Sequence, residues 1–204
     1  MSLFSYNVRG PGEITSLIIS VIVVSLVFTG WNNLITLNKF HIATAFIGVS
    51  TAFLFHELAH RFVARRYGCY AKHVLNPFGL VLTLFTMFLP LRIIITGYVS
   101  VFCIERFLNS YGIADSRKVN AYIALAGPLT NIIIAILFWG LIYAPIPYIY
   151  VRIFSYASFI NLWIAFFNLI PIPPLDGSKI FSYKPVLSIS LLLFAIILMV
   201  AQTW

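Results

Sequence analysis

The sequence contains few charged residues. Only 9% of its 204 residues are Asp, Glu, Lys or Arg, whereas a soluble domain carries about 25%. A soluble enzyme or binding module is therefore excluded. Because 61% of the residues are hydrophobic and the mean hydropathy is +1.00, the composition predicts a multi-pass membrane protein with almost no soluble portion.

Cysteine is also scarce, and the two that are present, Cys69 and Cys103, do not have the spacing of metal ligands. We expect two free thiols, with a disulfide as the alternative. A cleavable signal peptide is not recognisable either. Gly10-Pro11 and Glu13 precede the first apolar run, and no clear small-residue cleavage site follows it.

Acidic residues are the rarest charged class, with 5 against 13 basic residues and a formal charge of +8. The basic residues are spread over predicted loops and form no stripe, so we exclude nucleic acid as a partner. They are instead typical of topology anchors that face anionic headgroups of the lipid bilayer. The positive-inside rule then predicts that the N-terminus, residues 65–118 and the loop 171–185 face the cytoplasm.

Long apolar runs predict the fold class, an all-α multi-pass membrane protein with about five transmembrane helices. Between the second and third helices, 93–102 is rich in β-branched and aromatic residues, which favours a strand. We therefore expect a small re-entrant or membrane-surface β element at 72–106. The whole chain, 1–204, is predicted to be one domain, with helices at about 14–36, 41–66, 119–144, 150–170 and 186–203.

The second predicted helix carries the motif His56-Glu57-Leu58-Ala59-His60. On a helix the two histidines lie one turn apart on the same face, so both imidazoles can bind one metal ion. Glu57 is then the candidate general base that takes a proton from the attacking water. The alternative is a set of helix–helix hydrogen bonds. We prefer the metal site, because charged groups inside a membrane cost several kcal/mol and are usually functional.

The His-Glu-x-x-His motif is the arrangement of zinc peptidases. Such a site needs a third protein ligand and an open position for water, and we predict Asp176 as the third ligand. It follows a proline-rich stretch that ends the fourth helix, on the side where the second helix ends. An Asp-Gly turn that closes a loop is the alternative. A shared metal also requires that 72–106 does not cross the membrane. Other candidate ligands are poorly placed, either in or near polar loops or away from the motif: Glu13, Glu105, Asp115, His41 and His73.

The two motifs together resemble the site-2 protease family, whose pattern is His-Glu-x-x-His followed later by Asn-x-x-Pro-x-Pro-x-x-Asp-Gly. The second motif is complete here from Asn168 to Gly177. Gly127-Pro128-Leu129-Thr130-Asn131 and Gly97-Tyr98-Val99 also resemble family segments. The resemblance covers about residues 50–180.

This resemblance implies one Zn²⁺ per chain, bound by His56, His60 and Asp176, with Glu57 as general base and acid. It implies that Gly97, Tyr98 and Val99 pair with a substrate strand. Asn168 is expected to hold substrate or the developing oxyanion. The alternative is that it only hydrogen-bonds backbone groups left unpaired near Pro171. Many family members carry a PDZ or a regulatory domain, and no stretch here is long enough for either.

The predicted function is therefore a zinc-dependent intramembrane endopeptidase that hydrolyses peptide bonds within or near transmembrane segments of substrate proteins. A catalytically inactive membrane scaffold or a metal transporter that uses the same ligands is the alternative. A transporter should have polar ligands across the whole membrane, and an inactive homologue usually loses Glu57 or a ligand. A third class, membrane zinc proteases that act on prenylated C-termini, typically takes a glutamate as its third ligand.

Overall fold

The computed structural model of the protein describes residues 12–103 and 116–202. The predictions that concern the N-terminus, Glu105 and Asp115 lie outside these residues. In the described part the chain is mostly helical, with two short strands, β1 (Cys69–Leu75) and β2 (Gly97–Cys103). The helices are α1 (Glu13–Thr29), α2 (Trp31–Ile35), α3 (Lys39–Arg66), α4 (Pro77–Phe85), α5 (Ser116–Leu141), α6 (Tyr148–Leu169), α7 (Asp176–Tyr183) and α8 (Pro185–Ala201).

Three helices, α3, α5 and α6, are long and apolar enough to cross a membrane. The first and last predicted spans form α1 and α8, which are apolar but only 17 residues long each. The structure therefore supports a membrane protein with three candidate spans and a small sheet, and the count of five spans is not confirmed.

The first predicted helix, 14–36, is wrong as a single element. It breaks at Gly30, whose φ of +76° lies in the left-handed region that favours glycine. Residues after the break form the short helix α2, and the chain then turns into α3.

Capping residues set both ends of α3. At its start the side chain of Asn38 accepts a hydrogen bond from the His41 backbone N–H at 3.3 Å, the usual N-cap contact. At its end Gly68 has a φ of +64°, and its N–H donates to the Arg65 carbonyl at 3.1 Å. Gly68 therefore ends α3 in the way that a glycine after a helix C-terminus usually does.

The segment between α3 and α5 leaves and returns at the same end of α3. Strands β1 and β2 pair antiparallel along their full length, with Cys69 opposite Cys103 and Leu75 opposite Gly97. The predicted strand at 93–102 is partly wrong, because 93–96 are not in a strand and β1 was not expected. The apolar run before Pro90 is helical, forming α4 and a 3₁₀ turn (Thr86–Phe88).

The tip of this segment reaches far along α1. Arg92 donates from its Nε to the carbonyl of Val27 at 3.1 Å, 14 residues after Glu13, where α1 begins. At 1.5 Å per residue this is about 21 Å from the start of the helix. Trp163 of α6 fixes the tip by donating to the Arg92 carbonyl at 2.9 Å.

The expectation of free thiols is wrong. Cys69 and Cys103 form a disulfide at the end of the sheet. The two residues face each other in the register, so their side chains lie on the same face of neighbouring strands. From sequence the bond is only the alternative, because β1 is not recognisable there as a strand that would face Cys103.

Close backbone packing joins α3 to α6. A Cβ added at Gly48 would lie 2.7 Å from the Ile160 Cδ1 and 3.2 Å from the Ala157 Cα. Ala52, one turn further along, is fully buried. Small residues four apart are a usual way for membrane helices to approach each other, because lipid gives no hydrophobic drive for their association. This contact holds α3 rigidly beside the helix that leads to Asp176.

Candidate metal centre and active site

Three side chains that could bind a metal converge at one end of the helical core. His56 and His60 project from α3, and Asp176 is the first residue of α7. One ligand atom from each lies within 4.8 Å of the others, and all three residues are buried. The structure thus brings together the three residues predicted as metal ligands, although they come from positions more than a hundred residues apart.

Asp176 reaches this position because α6 ends at Leu169 and the proline-rich turn redirects the chain. The loop predicted for 171–185 is partly wrong, since Asp176 begins helix α7 and is not part of an Asp-Gly loop turn. Gly177 allows the new helix to start against the old one. A Cβ on it would overlap the Leu169 carbonyl and lie 2.5 Å from the Ile170 oxygen.

The distances within the cluster fit a tetrahedral zinc site. Asp176 Oδ2 lies 3.3 Å from His56 Nε2 and 3.0 Å from His60 Nε2. Zinc–ligand bonds of 2.0–2.1 Å in a tetrahedron place neighbouring ligand atoms about 3.3 Å apart. Two histidines and one carboxylate are also a donor set that catalytic zinc sites use. The residues present therefore fit the metal.

The hydrogen bond that His60 makes through Nδ1 leaves its Nε2 free for a metal. Its Nδ1 lies 2.6 Å from the carbonyl oxygen of Ile123 on α5, which can only accept, so Nδ1 carries the proton. The neutral ring then has its lone pair on Nε2. This atom is fully buried and makes no hydrogen bond to any described residue, as expected for a metal ligand.

Asn131 of α5 supports His56 in the same way. Its amide lies 3.3 Å from His56 Nδ1 through the Nδ2 atom, while its Oδ1 is buried without a partner among the described residues. Turning the amide by 180° exchanges nitrogen and oxygen at nearly equal positions. Oδ1 then accepts from His56 Nδ1–H, which satisfies the orphaned oxygen and leaves His56 Nε2 for the metal.

The carboxyl of Asp176 is held ionised. Burial opposes ionisation, and the Lys179 ammonium beside the carboxylate favours the charged form. Lys179 Nζ lies 3.5 Å from Asp176 Oδ1 and donates to the Val99 carbonyl at 2.9 Å. Lys179 therefore links the metal cluster to β2.

Glu57 lies beside this cluster in a pocket that also borders β2. Helix α3 supplies His56 and Glu57 to one wall, and residues 96–99 form the opposite wall. Asp176 and Asn168 also line the pocket. Extended backbone therefore runs past the buried carboxylate of Glu57, and the pairing of 97–99 with a substrate strand stays a prediction.

The sequence also matches the model of a known protein family. The family model for peptidase family M50 matches residues 44–148 and 146–185, more than half of the chain. The chain belongs to peptidase family M50. This confirms the site-2 protease resemblance, and both predicted motifs lie inside the matched residues.

Three relatives match this chain, and each is named as a putative zinc metalloprotease. MJ0611 of Methanocaldococcus jannaschii is 35% identical over 188 residues, 91% of this chain and 90% of its own length. Rip2 of Mycolicibacterium smegmatis is 28% identical over 60% of this chain and 49% of its own, and YwhC of Bacillus subtilis is 29% identical over 66% and 65%. No solved structure matches. Together these findings support a zinc metalloprotease.

Asn168 does not contact the cluster directly. Its side-chain nitrogen donates to the Ile164 carbonyl, four residues earlier in α6, at 3.0 Å. The residue still lines the pocket. A primary amide has a second N–H, so the contact with Ile164 is compatible with the predicted role toward substrate as well as with a purely local one.

Glu13, the alternative ligand that a different protease class would need, is engaged elsewhere. Its Oε1 pairs with Arg61 Nη2 at 2.9 Å and accepts from the His73 backbone N–H at 3.3 Å. Its Oε2 accepts from the Tyr70 hydroxyl at 3.1 Å. Glu13 thus joins α1 to α3 and β1 and is not part of the metal cluster.

Gly127 and His73 are among the contributors to the site in this M50 protein that were not predicted from sequence. Gly127 on α5 lies against both imidazoles, and a Cβ there would be 2.6 Å from His56 Nε2. His73 on β1 contacts Glu57 at 2.8 Å. The first was visible only as part of a family segment. From sequence His73 is only a candidate ligand. Its alternation with Cys69 and Ala71, however, indicates the buried face of a strand.

Removing the carboxylate of Asp176 should remove the metal. We expect about one zinc per chain in the detergent-purified wild type and a zinc affinity at least about 100-fold weaker for Asp176→Ala, because losing a ligand should cost more than the 10–100-fold typical of losing a group that only hydrogen-bonds a ligand. Metal analysis after dialysis measures it. His41→Ala, at the other end of α3, is the control that should keep its zinc. Equal zinc in wild type and Asp176→Ala would place the third ligand elsewhere.

Proposed function

We propose that this M50 protein is an intramembrane zinc endopeptidase of the site-2 type, which hydrolyses peptide bonds within or near transmembrane segments of other membrane proteins. The observation that carries the proposal is the position of the cluster. His56 lies 10 residues before the end of the 28-residue helix α3, about 15 Å along the axis. If α3 spans the bilayer, whose hydrocarbon core is about 30 Å thick, the cluster lies well within it.

The proposed topology has five spans, formed by α1, α3, α5, α6 and α8. The contact between His60 and Asp176 supports it, because the C-terminal ends of α3 and α6 must then lie on one side. Basic residues are concentrated there, at Arg65 and Arg66, which favours the cytoplasmic side. The N-terminus and the loop 171–185 belong to the same side in this proposal.

We assign His56, His60 and Asp176 to one zinc ion, which when bound supplies Lewis-acid activation of the scissile carbonyl and its attacking water. Glu57 takes a proton from that water as its oxygen bonds to the carbonyl carbon. Glu57 then returns the proton to the amide nitrogen as the C–N bond breaks. The products are a new carboxylic acid and a new amine, and Glu57 is regenerated as the carboxylate.

The substrate must reach Glu57 in extended form, because a helical carbonyl is bonded within its own helix. We assign this step to the edge of β2 at Gly97, Tyr98 and Val99, which lines the pocket. Val99 faces His73 across the ladder, and its carbonyl accepts from Lys179, outside the sheet. A substrate strand that pairs here replaces Lys179 at that carbonyl, and Asn168 is then placed to donate its second N–H to substrate.

Metal removal should test the proposal directly. The probe is a single-span test protein, tagged at both ends, with a Gly-Pro pair in its transmembrane segment and reconstituted with the M50 protein in phosphatidylcholine vesicles. We expect cleavage inside or next to the segment, located by mass spectrometry. A zinc chelator should abolish it, and added zinc should restore it.

A soluble peptide that carries only the extramembrane residues of the probe is the control and should remain intact. Absence of cleavage across a panel of such probes, with about one zinc bound per chain, would contradict the proposal and favour an inactive scaffold.

A further inference from the structure

The side chain of His73 is buried in the protein and held at both ring nitrogens. Its Nδ1 lies 2.8 Å from Glu57 Oε1, and its Nε2 lies 3.3 Å from the hydroxyl oxygen of Ser20 on α1. Only 3% of His73 is exposed, and Ser20 is fully buried. An imidazole placed so deeply between two polar partners connects α1 to the catalytic helix α3.

One protonation pattern satisfies both contacts. The Glu57 carboxylate can only accept, so Nδ1 carries a proton and donates to Oε1. The neutral ring then has a lone pair on Nε2, which accepts from the Ser20 hydroxyl. The order of donation is Ser20 to His73 to Glu57, and it fixes the ring orientation as well as the side of the carboxylate that it contacts.

The backbone around His73 keeps the ring in this position. Its own N–H donates to Glu13 Oε1 at 3.3 Å, and Val99 lies opposite it in β2. Gly97 leaves the space that the ring fills, because a Cβ there would lie 2.7 Å from His73 Nε2 and overlap the Val74 carbonyl. The sheet, α1 and α3 therefore meet at this one side chain.

We propose that His73 is a positioning residue for Glu57, which rests on the proposed protease function. The hydrogen bond from Nδ1 occupies Oε1 and holds the carboxylate in one rotamer, so that Oε2 is presented to the attacking water. A general base that is displaced by about 1 Å can lose about 100-fold in rate. Ser20 acts on the same bond from the far side by orienting the ring.

Three substitutions separate this role from packing. His73→Leu keeps much of the volume and removes both nitrogens. His73→Asn keeps an amide group at the Nδ1 position, whereas His73→Gln moves it one bond further, toward the Nε2 position and Ser20. Each variant is reconstituted with the test protein described above, and kcat, KM and zinc content are measured together.

We expect His73→Leu to lower kcat by about 10–100-fold, the range found when an outer hydrogen-bond partner of a site is lost. KM and zinc content should stay close to those of the wild type. His73→Asn should recover most of the lost kcat, and His73→Gln should remain near the Leu variant. This order follows from which variant can still donate to Glu57 Oε1.

His41→Ala is the matched control, because His41 also lies on α3 but near its far end, beside the rings of Phe40 and Tyr156. Its kcat should be unchanged. A wild-type kcat in His73→Leu, or equal kcat in the Asn and Gln variants, would overturn the positioning role. If His73→Leu does not fold, the comparison of Asn with Gln still decides. No cleavage by the wild type would instead contradict the proposed function.

Discussion

Glu57→Gln should lower cleavage by about 10²–10⁴-fold, the usual contribution of general acid–base catalysis, while about one zinc per chain remains bound. Glutamine has nearly the same shape, and its amide oxygen can still accept from His73 Nδ1, which lies 2.8 Å from Glu57 Oε1. What it lacks is a basic oxygen that can take a proton from water. The fold and the metal ligands are therefore preserved while the proton transfer is lost.

The measurement is the initial rate of cleavage of the test protein, with zinc content and thermal unfolding followed on the same samples. Unchanged zinc and unchanged unfolding temperature show that a loss of rate is chemical. Cleavage at the wild-type rate would remove Glu57 from the role of general base and require another proton acceptor in the pocket.

Gly127→Ala should release the metal although Gly127 is not a ligand. A Cβ at this position would lie 2.6 Å from both Nε2 and Cε1 of His56 and would overlap His60 Nε2. Those two nitrogens are the atoms assigned to zinc. We expect a loss of zinc affinity of at least about 100-fold, because the methyl group fills the space of the ligand atoms. This is at least as large as the loss that follows removal of a hydrogen-bond partner of a ligand.

The same helix offers a matched control. Gly140 on α5 has no heavy atom within 4 Å of an added Cβ, so Gly140→Ala makes no contact that could disturb the site. Both substitutions replace the poorest ordinary helix former with the best, which favours a helix by up to about 1 kcal/mol. Zinc retained by both variants would show that α5 can move away from α3. Zinc lost from both would point to a general effect on α5.

The metal cluster could be predicted because two of its three ligands are set by their separation in the sequence. His56 and His60 are placed on one helix face by a four-residue separation, which any helix provides. Asp176 is predicted because the other candidate ligands are poorly placed and because it belongs to the motif from Asn168 to Gly177. What could not be predicted is how it reaches the site, since its helix α7 depends on the end of α6 and on contacts with Leu169, which lie outside local sequence.

The β element shows where sequence reasoning fails. β-branched and aromatic residues indicated a strand at 93–102, but only the part from Gly97 onward finds a partner. That partner, β1, contains a lysine, a histidine and a cysteine, and its strand character comes from pairing and not from propensity. The disulfide and the contact of His73 with Glu57 both depend on β1, so the sequence favours neither of them.

The break at Gly30 and the short length of α1 have a related cause. Hydropathy reports that a run is apolar, and it does not report where a glycine turns the chain. Arg92, which interrupts an apolar region in the sequence, becomes understandable only in the fold. Its side chain lies over the Phe28 ring, 5.4 Å from the centroid, and bonds the Val27 carbonyl at 3.1 Å.

The walls of the pocket determine which inhibitors can enter it. Gly127 and α5 close the cluster on one side, and the backbone of β2 lines the other. A small chelating group alone would meet few contacts here, whereas a chelating group carried on an extended peptide could pair with Gly97 and Val99 along the strand. If substrate pairs as proposed, a rigid peptide of this kind should bind more tightly than a flexible one, because it loses less entropy on binding.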